Sequence, residues 1–225
     1  MKTMIAIPCM DRIHTAFVQC LMQSDVKPLG QVSIRFQKNT LVYDGRNILA
    51  IEAIQNGYDQ VLWLDSDITF PENMPRIMTD TLVSSGADMV TGVYVNRHVN
   101  PHPILYSRIA PPEPDVNGIV RKQVETYESI PQDSVFPVAG AGFGCVLTTT
   151  ALLRDVMGKY GPPFTPLPWA SEDISFCYRV RQLGKRIVAT TQFPLGHIGQ
   201  YEYTLDDVRG EQHETTSRDP VPPLR

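Results

Sequence analysis

The sequence lacks closely spaced cysteines and basic runs, which mark metal-binding and nucleic-acid-binding proteins. Its four cysteines, Cys9, Cys20, Cys145 and Cys177, are too far apart for a CxxC pair or a metal-ligand spacing. We therefore expect reduced thiols and a cytoplasmic protein. The net charge is −4, and no run of lysines and arginines with interleaved aromatic residues is present, so we predict no stable binding to nucleic acid.

We also expect no transmembrane segment. The first apolar run is too short for a signal peptide, because Pro8 and Asp11 end it. Residues 135–153 carry no charge and reach the length of a membrane span, but they include Pro137, three glycines and three threonines, and no basic cluster flanks them. This pattern favours a buried loop followed by a strand.

Strand-like and helix-like patterns alternate over residues 1–95. Apolar runs typical of strands cover residues 3–8, 60–64 and 87–95. Residues 31–37 alternate instead, with Val32, Ile34 and Phe36 on one face of a second strand. Segments with helical spacing of apolar residues lie between them, at 12–23, 43–57 and 72–86. This alternation predicts an α/β fold with a Rossmann-like, mostly parallel central sheet that helices flank.

The pattern changes after Asn96. Prolines cluster at 101–103 and 111–114, and the strand-like runs become shorter, which predicts a smaller, mostly antiparallel part. Helical patterns return at 151–160 and 172–184. Residues 206–225 are polar and then proline-rich, so we expect a mobile tail or lid there.

Two acids follow the apolar strand pattern at 60–64. Asp65 and Asp67 stand where that strand ends, and ligands of a parallel sheet gather at the carboxyl ends of its strands. Two close carboxylates repel each other unless a cation neutralises them, and Mg²⁺ or Mn²⁺ prefers oxygen ligands of this kind. The alternative is a polar turn in which Asp67 or Thr69 caps the next helix.

The order of several motifs carries a family resemblance. A helix opening with Arg46 in "YDGRN", the "DSD" at 65–67, a downstream "SED" at 171–173 and the late His197 occur in this order. The chain in this respect resembles the GT-A fold nucleotide-sugar glycosyltransferases, particularly family 2-like members, over most of residues 1–200. The resemblance implies one GT-A domain over 1–205, with 1–95 as the nucleotide-sugar-binding half and 96–205 as the acceptor and catalytic half.

The resemblance assigns roles on the donor side. It implies that Asp67 ligates Mn²⁺ or Mg²⁺, while Asp65 shares the ion or contacts the ribose of a nucleoside-diphosphate sugar. Arg46 would stand near the base or the diphosphate, and Pro8 and Asp11 near the nucleobase. The alternatives are a solvated arginine at a helix start and an ordinary loop.

The "SED" motif has a structural and a catalytic interpretation. Ser171 is a suitable N-cap, with Glu172 and Asp173 in the first helical turn, where the helix dipole favours acids. The resemblance implies instead that Asp173 takes the proton of an acceptor hydroxyl in an inverting transfer and that Glu172 positions the acceptor. Trp169 could stack on a sugar ring or belong to the core.

Glycines and a late histidine complete the candidate site. Gly140 and Gly142 precede a strand pattern and not a helix, so they do not fit a dinucleotide-binding loop. The resemblance implies a tight backbone passage beside the donor sugar or the acceptor. It also implies that His197 is a metal ligand, whereas the residues alone allow a surface loop. The acceptor, which the sequence does not identify, would offer a hydroxyl on a glycan, a lipid-linked sugar or another molecule.

Two other functions compete with this interpretation. "VLWLDSDIT" also fits the haloacid dehalogenase-like phosphatases, in which Asp65 would be a covalent nucleophile. Against this, the motif is far from the chain start, no Gly-Asp pair follows it, and Lys185 comes after the "SED". A third hypothesis is a binding module that holds nucleotide sugar without catalysis.

Overall fold

The computed structural model describes residues 1–10, 12–98, 100–114, 116–127, 129–199 and 202–209. Asp11 lies outside the described residues, and so does the predicted tail from residue 210 onward.

Thirteen strands and six helices make up the fold. The strands are β1 Lys2–Cys9, β2 Gln31–Lys38, β3 Gln60–Leu64, β4 Ile68–Thr69, β5 Met89–Gly92, β6 Leu105–Pro114, β7 Val120–Thr126, β8 Val135–Pro137, β9 Gly140–Ala141, β10 Cys145–Thr149, β11 Ile187–Thr190, β12 Gly196–Ile198 and β13 Glu202–Tyr203. The helices are α1 Thr15–Gln23, α2 Val42–Gln55, α3 Met74–Ser85, α4 Thr150–Tyr160, α5 Glu172–Gln182 and α6 Leu205–Arg209. These counts refer to the described residues only.

A seven-stranded sheet forms the centre, in the order β2-β1-β3-β10-β5-β11-β8. β1 pairs in parallel with β2 and β3, and β5 pairs in parallel with β11. Only β10 and β8 run against their neighbours within this sheet. The predicted mostly parallel central sheet is therefore confirmed.

The position of β10 was not predicted, and it shapes the site. This strand lies between β3 and β5 and runs antiparallel to both, so that Cys145 pairs with Leu64 at the carboxyl end of β3. The segment before β10 consequently arrives beside the two acids that follow β3. The amide of Asp65 donates to the carbonyl of Gly144 over 3.0 Å.

Two small antiparallel sheets complete the architecture. One contains β13, β12 and β4, and its register places His197 opposite Ile68. The other contains β7, β6 and β9, which agrees with the smaller antiparallel part predicted from the sequence. The first of these sheets thus brings a late segment of the chain to the turn that holds Asp67.

Apolar side chains cover both faces of the central sheet. Met4 and Trp63 point into a cluster with α2, α4 and α5, whereas Ile5 and Leu62 point into a cluster with α1 and α3. Strands buried on both faces explain the uninterrupted apolar runs in the sequence. The apolar run of β3 ends at Leu64, and the next residue is the acid that contacts α2.

The uncharged segment at 135–153 forms part of this core. It supplies β8, β9 and β10 and the start of α4, as a buried loop and strands. Within the described part of the chain, no helix combines the length and apolar character needed to cross a membrane. All four cysteines are described, and all of them are free thiols.

Candidate functional site

A buried arginine joins three elements at one end of the sheet. Arg46, in the second turn of α2, is 3% exposed. One guanidinium nitrogen donates to Asp65 Oδ1 over 2.8 Å, and the other donates to Glu172 Oε1. The end of β3, the start of α2 and the start of α5 therefore meet at one guanidinium, which also lies 5.4 Å from the centre of the Phe143 ring.

Both carboxylates that contact Arg46 have a raised pKa. Burial raises the pKa of Asp65, and Asp67 acts in the same direction while Arg46 opposes both. Burial likewise raises the pKa of Glu172, with Asp173 adding to the effect and Arg46 opposing it. Such perturbed pairs collect at functional sites as well as in structural ion-pair networks.

Asp67 makes a separate set of contacts. Its Oδ2 accepts from Arg97 Nη1 over 2.8 Å and lies 3.6 Å from His197 Nε2. Burial alone would raise the pKa of Asp67, but a His197 ring protonated at both nitrogens donates to it and, together with Arg97, outweighs burial and lowers that pKa below its usual value. The backbone fixes this geometry, because the amide of Ile198 donates to the carbonyl of Asp67 over 2.7 Å.

The hydrogen bond of His197 Nδ1 determines whether Nε2 presents a lone pair to Asp67 when the ring is neutral. Nδ1 lies 2.7 Å from the carbonyl oxygen of Val95, which can only accept, so Nδ1 carries the proton. In the neutral ring, Nε2 then presents a lone pair toward a carboxylate oxygen. Two electron donors that face each other, with a backbone carbonyl orienting the imidazole, match the way proteins hold a metal ion. Carboxylate and imidazole together suit Mn²⁺.

The protein itself supplies only part of a coordination shell at this point. Among the described residues, no three His, Cys, Asp or Glu side chains form a group that could hold a metal ion. Asp67 and His197 would therefore need further ligands from a substrate or from water. Mg²⁺ and related ions commonly take substrate phosphates for this purpose.

A cavity opens between the first strand and the two acids. It has a volume of about 190 Å³, and Asp65 and Asp67 line it together with Pro8, Met10 and Thr40. The structure thus places Pro8 at the same cavity as the two acids, and its predicted contact with a nucleobase stays a prediction. Residue 11, the other predicted nucleobase contact, lies outside the described residues.

Asp173 lies in the first turn of α5, beside the arginine cluster. Ser171 is the N-cap residue, as predicted, but its hydroxyl does not cap the helix and instead donates to Asp173 Oδ1. The amide of Ile174 donates to the same oxygen over 2.7 Å. Both of these donors use Oδ1, and no donor among the described residues is seen at Oδ2. Trp169 is partly buried, and its ring packs edge-on against Tyr178 with the centroids 5.3 Å apart.

The glycines before β10 allow a close passage against protein groups. A Cβ atom on Gly142 would lie 2.3 Å from Tyr94 Oη, and one on Gly140 would lie 2.6 Å from Cys177 Cβ. Both glycines are buried. The need for glycine therefore arises from Tyr94 and α5, while the predicted contact with the acceptor or donor sugar stays a prediction.

Two residues of this site were not singled out from the sequence. Arg97 and Tyr94 follow β5, and ligand contacts are expected after the carboxyl ends of parallel strands. Tyr94 accepts a hydrogen bond from the amide of Gly144 over 3.0 Å, and its ring packs edge-on against His197. Applying the strand-end rule to β5 as well as to β3 would have identified both.

Comparison with known proteins shows similarity in structure. A197 from STIV is 19% identical with a TM-score of 0.65, and the match covers 97% of this chain and 98% of that one. The crystal structure of GalNAc-T7 with UDP, GalNAc and Mn²⁺ is 12% identical with a TM-score of 0.58, and it covers 89% of this chain and 44% of that one. The fold is the GT-A fold. The chain spans less than half the length of the GalNAc-T7 chain.

Sequence comparison adds no family assignment. No protein-family model matches the chain, and no curated protein matches it. At identities of only 19% and 12%, the structural similarity establishes the GT-A fold and nothing about activity. Activity therefore has to be argued from the site.

Proposed function

We propose that this GT-A protein is a metal-dependent glycosyltransferase that moves a sugar from a nucleoside-diphosphate sugar to an acceptor hydroxyl. One observation carries the proposal. His197 Nε2 faces Asp67 Oδ2 at 3.6 Å while the carbonyl of Val95 orients the ring through Nδ1, and this pair of donors suits Mn²⁺ or Mg²⁺.

The net charge at the site supports donor binding that depends on a divalent cation. Four carboxylates and two guanidinium groups meet here, so the ionised groups carry an excess of two negative charges; they are Asp65, Asp67, Glu172, Asp173, Arg46 and Arg97. A diphosphate would be repelled by this excess. A bound divalent cation would neutralise it and stabilise charge on the diphosphate leaving group.

The protein residues would divide the remaining work between two sides. On the donor side, the cavity with Pro8 and Thr40 would receive the nucleoside, with Asp65 near the ribose. Arg46 holds Asp65 and Glu172 in place and does not itself line the cavity. Its role in this proposal is to position the two carboxylates.

On the acceptor side, Asp173 would take the proton of the attacking hydroxyl. Its Oδ1 is fixed by Ser171 and Ile174, so Oδ2 is held in a defined direction. Glu172 Oε1 accepts from Arg46 and so takes part in holding the cluster together, which leaves Asp173 as the carboxylate assigned to the acceptor hydroxyl. In this proposal Asp173 is the general base of an inverting transfer. Trp169 would offer a ring face to the acceptor, and Gly140 and Gly142 would bring the backbone close to it.

The structure gives little support to a phosphatase. Lys185, the lysine such a mechanism would need, pairs with Asp155 over 2.9 Å and with Asp88 over 3.4 Å. Asp88 directly precedes β5, whereas Asp65 follows β3, which runs in the same direction. Lys185 therefore lies near the amino ends of these strands, whereas Asp65 lies at their carboxyl ends.

A ligand screen tests the proposal. Binding of UDP-, GDP-, CDP- and dTDP-sugars would be measured by calorimetry with Mn²⁺ and with a chelator. We expect one nucleotide class to bind only with Mn²⁺, and Asp67→Ala to abolish that binding. Asp25→Ala is the matched control, because Asp25 also accepts from an arginine, Arg76, over 2.9 Å, and neither residue lines the cavity.

The outcomes separate the hypotheses. Binding that is equal with and without Mn²⁺ would contradict a metal-dependent transferase. A phospho-adduct on Asp65 would favour the phosphatase. Tight donor binding without release of nucleotide, in a screen of sugar, lipid and peptide hydroxyls, would indicate a binding module.

A further inference from the structure

Arg97 lies where a cation and a diphosphate would meet. Its Nη1 donates to Asp67 Oδ2 over 2.8 Å and to the carbonyl of Ile198 over 3.2 Å. Asp67 Oδ2 is the same oxygen that faces His197 Nε2 at 3.6 Å. The guanidinium therefore contacts the carboxylate oxygen that an ion shared with His197 would use.

Arg97 and a divalent cation exclude each other at that oxygen. Both are positive, and close placement of like charges is unfavourable, most of all where solvent access is limited. Asp67 has a side-chain exposure of only 20%, so water screens the repulsion poorly. An ion shared between Asp67 Oδ2 and His197 is therefore disfavoured until the guanidinium moves away.

The side chain of Arg97 can move while its backbone stays. Its side-chain exposure is 47%, so it has solvent on one side. Two hydrogen bonds between Asn96 and His102, of 3.0 and 3.1 Å, join the residues on either side of the loop that begins with Arg97. Gly199 gives the side chain room, since a Cβ there would lie 3.1 Å from Arg97 Cδ.

We propose that Arg97 and the divalent cation bind Asp67 in turn, and that the displaced guanidinium binds the diphosphate of the donor. Arginine suits this second position because its planar fork matches phosphate oxygens. The inference rests on the proposed function and specifies its regulation. Arg97 keeps free cation out and admits it together with the diphosphate.

Cooperative binding follows from this exchange. Without a diphosphate, a cation gains Asp67 and His197 but leaves Arg97 without its carboxylate. With a diphosphate, phosphate oxygens complete the coordination and give Arg97 a new anionic partner. Cation and diphosphate should therefore strengthen each other's binding, by the same factor in both directions.

Metal binding without turnover tests the proposal. Free Mn²⁺ would be followed by electron paramagnetic resonance as wild type, Arg97→Gln and Arg97→Lys are titrated. Inorganic pyrophosphate serves as the diphosphate, because it needs no knowledge of the nucleobase. Arg76→Gln is the control, since the Arg76 to Asp25 pair has a similar length of 2.9 Å.

Opposite effects on the two ligands are expected from Arg97→Gln. It should bind Mn²⁺ alone about tenfold more tightly than wild type, because the competing charge is gone. It should bind pyrophosphate at saturating Mn²⁺ about tenfold more weakly, because a charged phosphate contact is lost. Arg97→Lys should keep the weak affinity for Mn²⁺ alone, and Arg76→Gln should match wild type in both titrations.

Any other outcome would overturn one identifiable part of this proposal. Equal Mn²⁺ affinity in wild type and Arg97→Gln would refute the competition and leave the transferase proposal standing. Unchanged pyrophosphate affinity in Arg97→Gln would refute the second position of the guanidinium. If wild type bound no Mn²⁺ even with pyrophosphate, or bound pyrophosphate equally without Mn²⁺, both this inference and the proposed function would be wrong. Arg97 is exposed, so unchanged thermal unfolding should confirm that the variants are folded.

Discussion

Arg46 and Glu172 are 126 residues apart in the sequence, yet the guanidinium of one donates to the carboxylate of the other. The same guanidinium holds Asp65, so the first turn of α5 is tied to the end of β3 through a residue of α2. Two partly buried carboxylates thus depend on one buried cation. This arrangement holds the predicted "ED" motif beside the predicted "DxD" motif, and it makes Arg46 the residue on which the geometry of both depends.

We predict that Arg46→Met is strongly destabilising. It leaves two carboxylates in a buried site without their cation, and removing one partner of a buried ion pair costs about 3–5 kcal/mol. Urea unfolding of the variant at pH 7 measures the loss. Arg35→Gln is the control, because the Arg35 to Glu52 pair is exposed and should contribute less than about 1 kcal/mol. Equal losses in the two variants would mean that the buried cluster has no special weight.

The loss in Arg46→Met should depend on pH. Burial already raises the pKa of Asp65 and of Glu172, and Arg46 is the group that opposes this rise. Without it both pKa values rise further above those of the unfolded chain, so the folded state binds more protons. Stability of the variant should then fall as pH rises through these raised values and recover toward pH 5. A destabilisation that is constant from pH 5 to pH 8 would contradict this explanation.

We predict that Gly142→Ala disturbs the site through Tyr94. The new Cβ would lie 2.3 Å from Tyr94 Oη, which accepts from the amide of Gly144 in a buried position. Overpacking of this kind typically costs about 1–3 kcal/mol. Because the Tyr94 ring packs edge-on against His197 at 5.3 Å, Mn²⁺ binding should weaken as well. Calorimetry and urea unfolding measure the two effects.

Gly158→Ala provides the matched control for that variant. Gly158 lies inside α4, and a Cβ there meets no atom within 4 Å. Alanine should therefore stabilise the helix by up to about 1 kcal/mol. If both substitutions behaved alike, the tight passage at Gly142 would not be the cause of the loss.

We predict that Asp173→Asn separates binding from transfer. The amide keeps the shape and can still accept at the oxygen that faces Ser171 and Ile174, but it cannot take a proton. Donor affinity should stay within about twofold of wild type, while transfer should fall by about 10²–10⁴-fold, the usual contribution of a general base. Ser171→Ala, which removes a donor to the same carboxylate, should lose much less activity. Transfer at the wild-type rate in Asp173→Asn would exclude this residue as the base.

Much of the central sheet could be predicted from the sequence. Strands such as β1 and β3 are buried on both faces, so their apolar runs are continuous and easy to recognise. The acid pair after β3 was identifiable because the apolar run stops abruptly at Leu64. The N-cap at Ser171 was identifiable for a similar reason, since capping chemistry is local to a few residues.

The unpredicted features depend on contacts between distant residues. The sequence pattern of β10 reveals a strand but not that it enters the sheet antiparallel between β3 and β5. The ion pair of Arg46 with Glu172 spans two halves of the chain, and no local pattern distinguishes a buried arginine from a solvated one. Arg97 pairs with Asp67, 30 residues earlier in the sequence, and no local pattern marks that pairing.

Burial and orientation separate His197 from His102. His197 is 8% exposed and oriented by Val95, whereas the side chain of His102 is exposed and only its backbone takes part in the closure with Asn96. We therefore predict that His197→Ala lowers Mn²⁺ affinity by at least about tenfold, because it removes one of two protein donors. His102→Ala should leave that affinity unchanged. Titration of free Mn²⁺ at saturating pyrophosphate measures both, and a loss in His102→Ala that equals the loss in His197→Ala would show that the ion is held elsewhere.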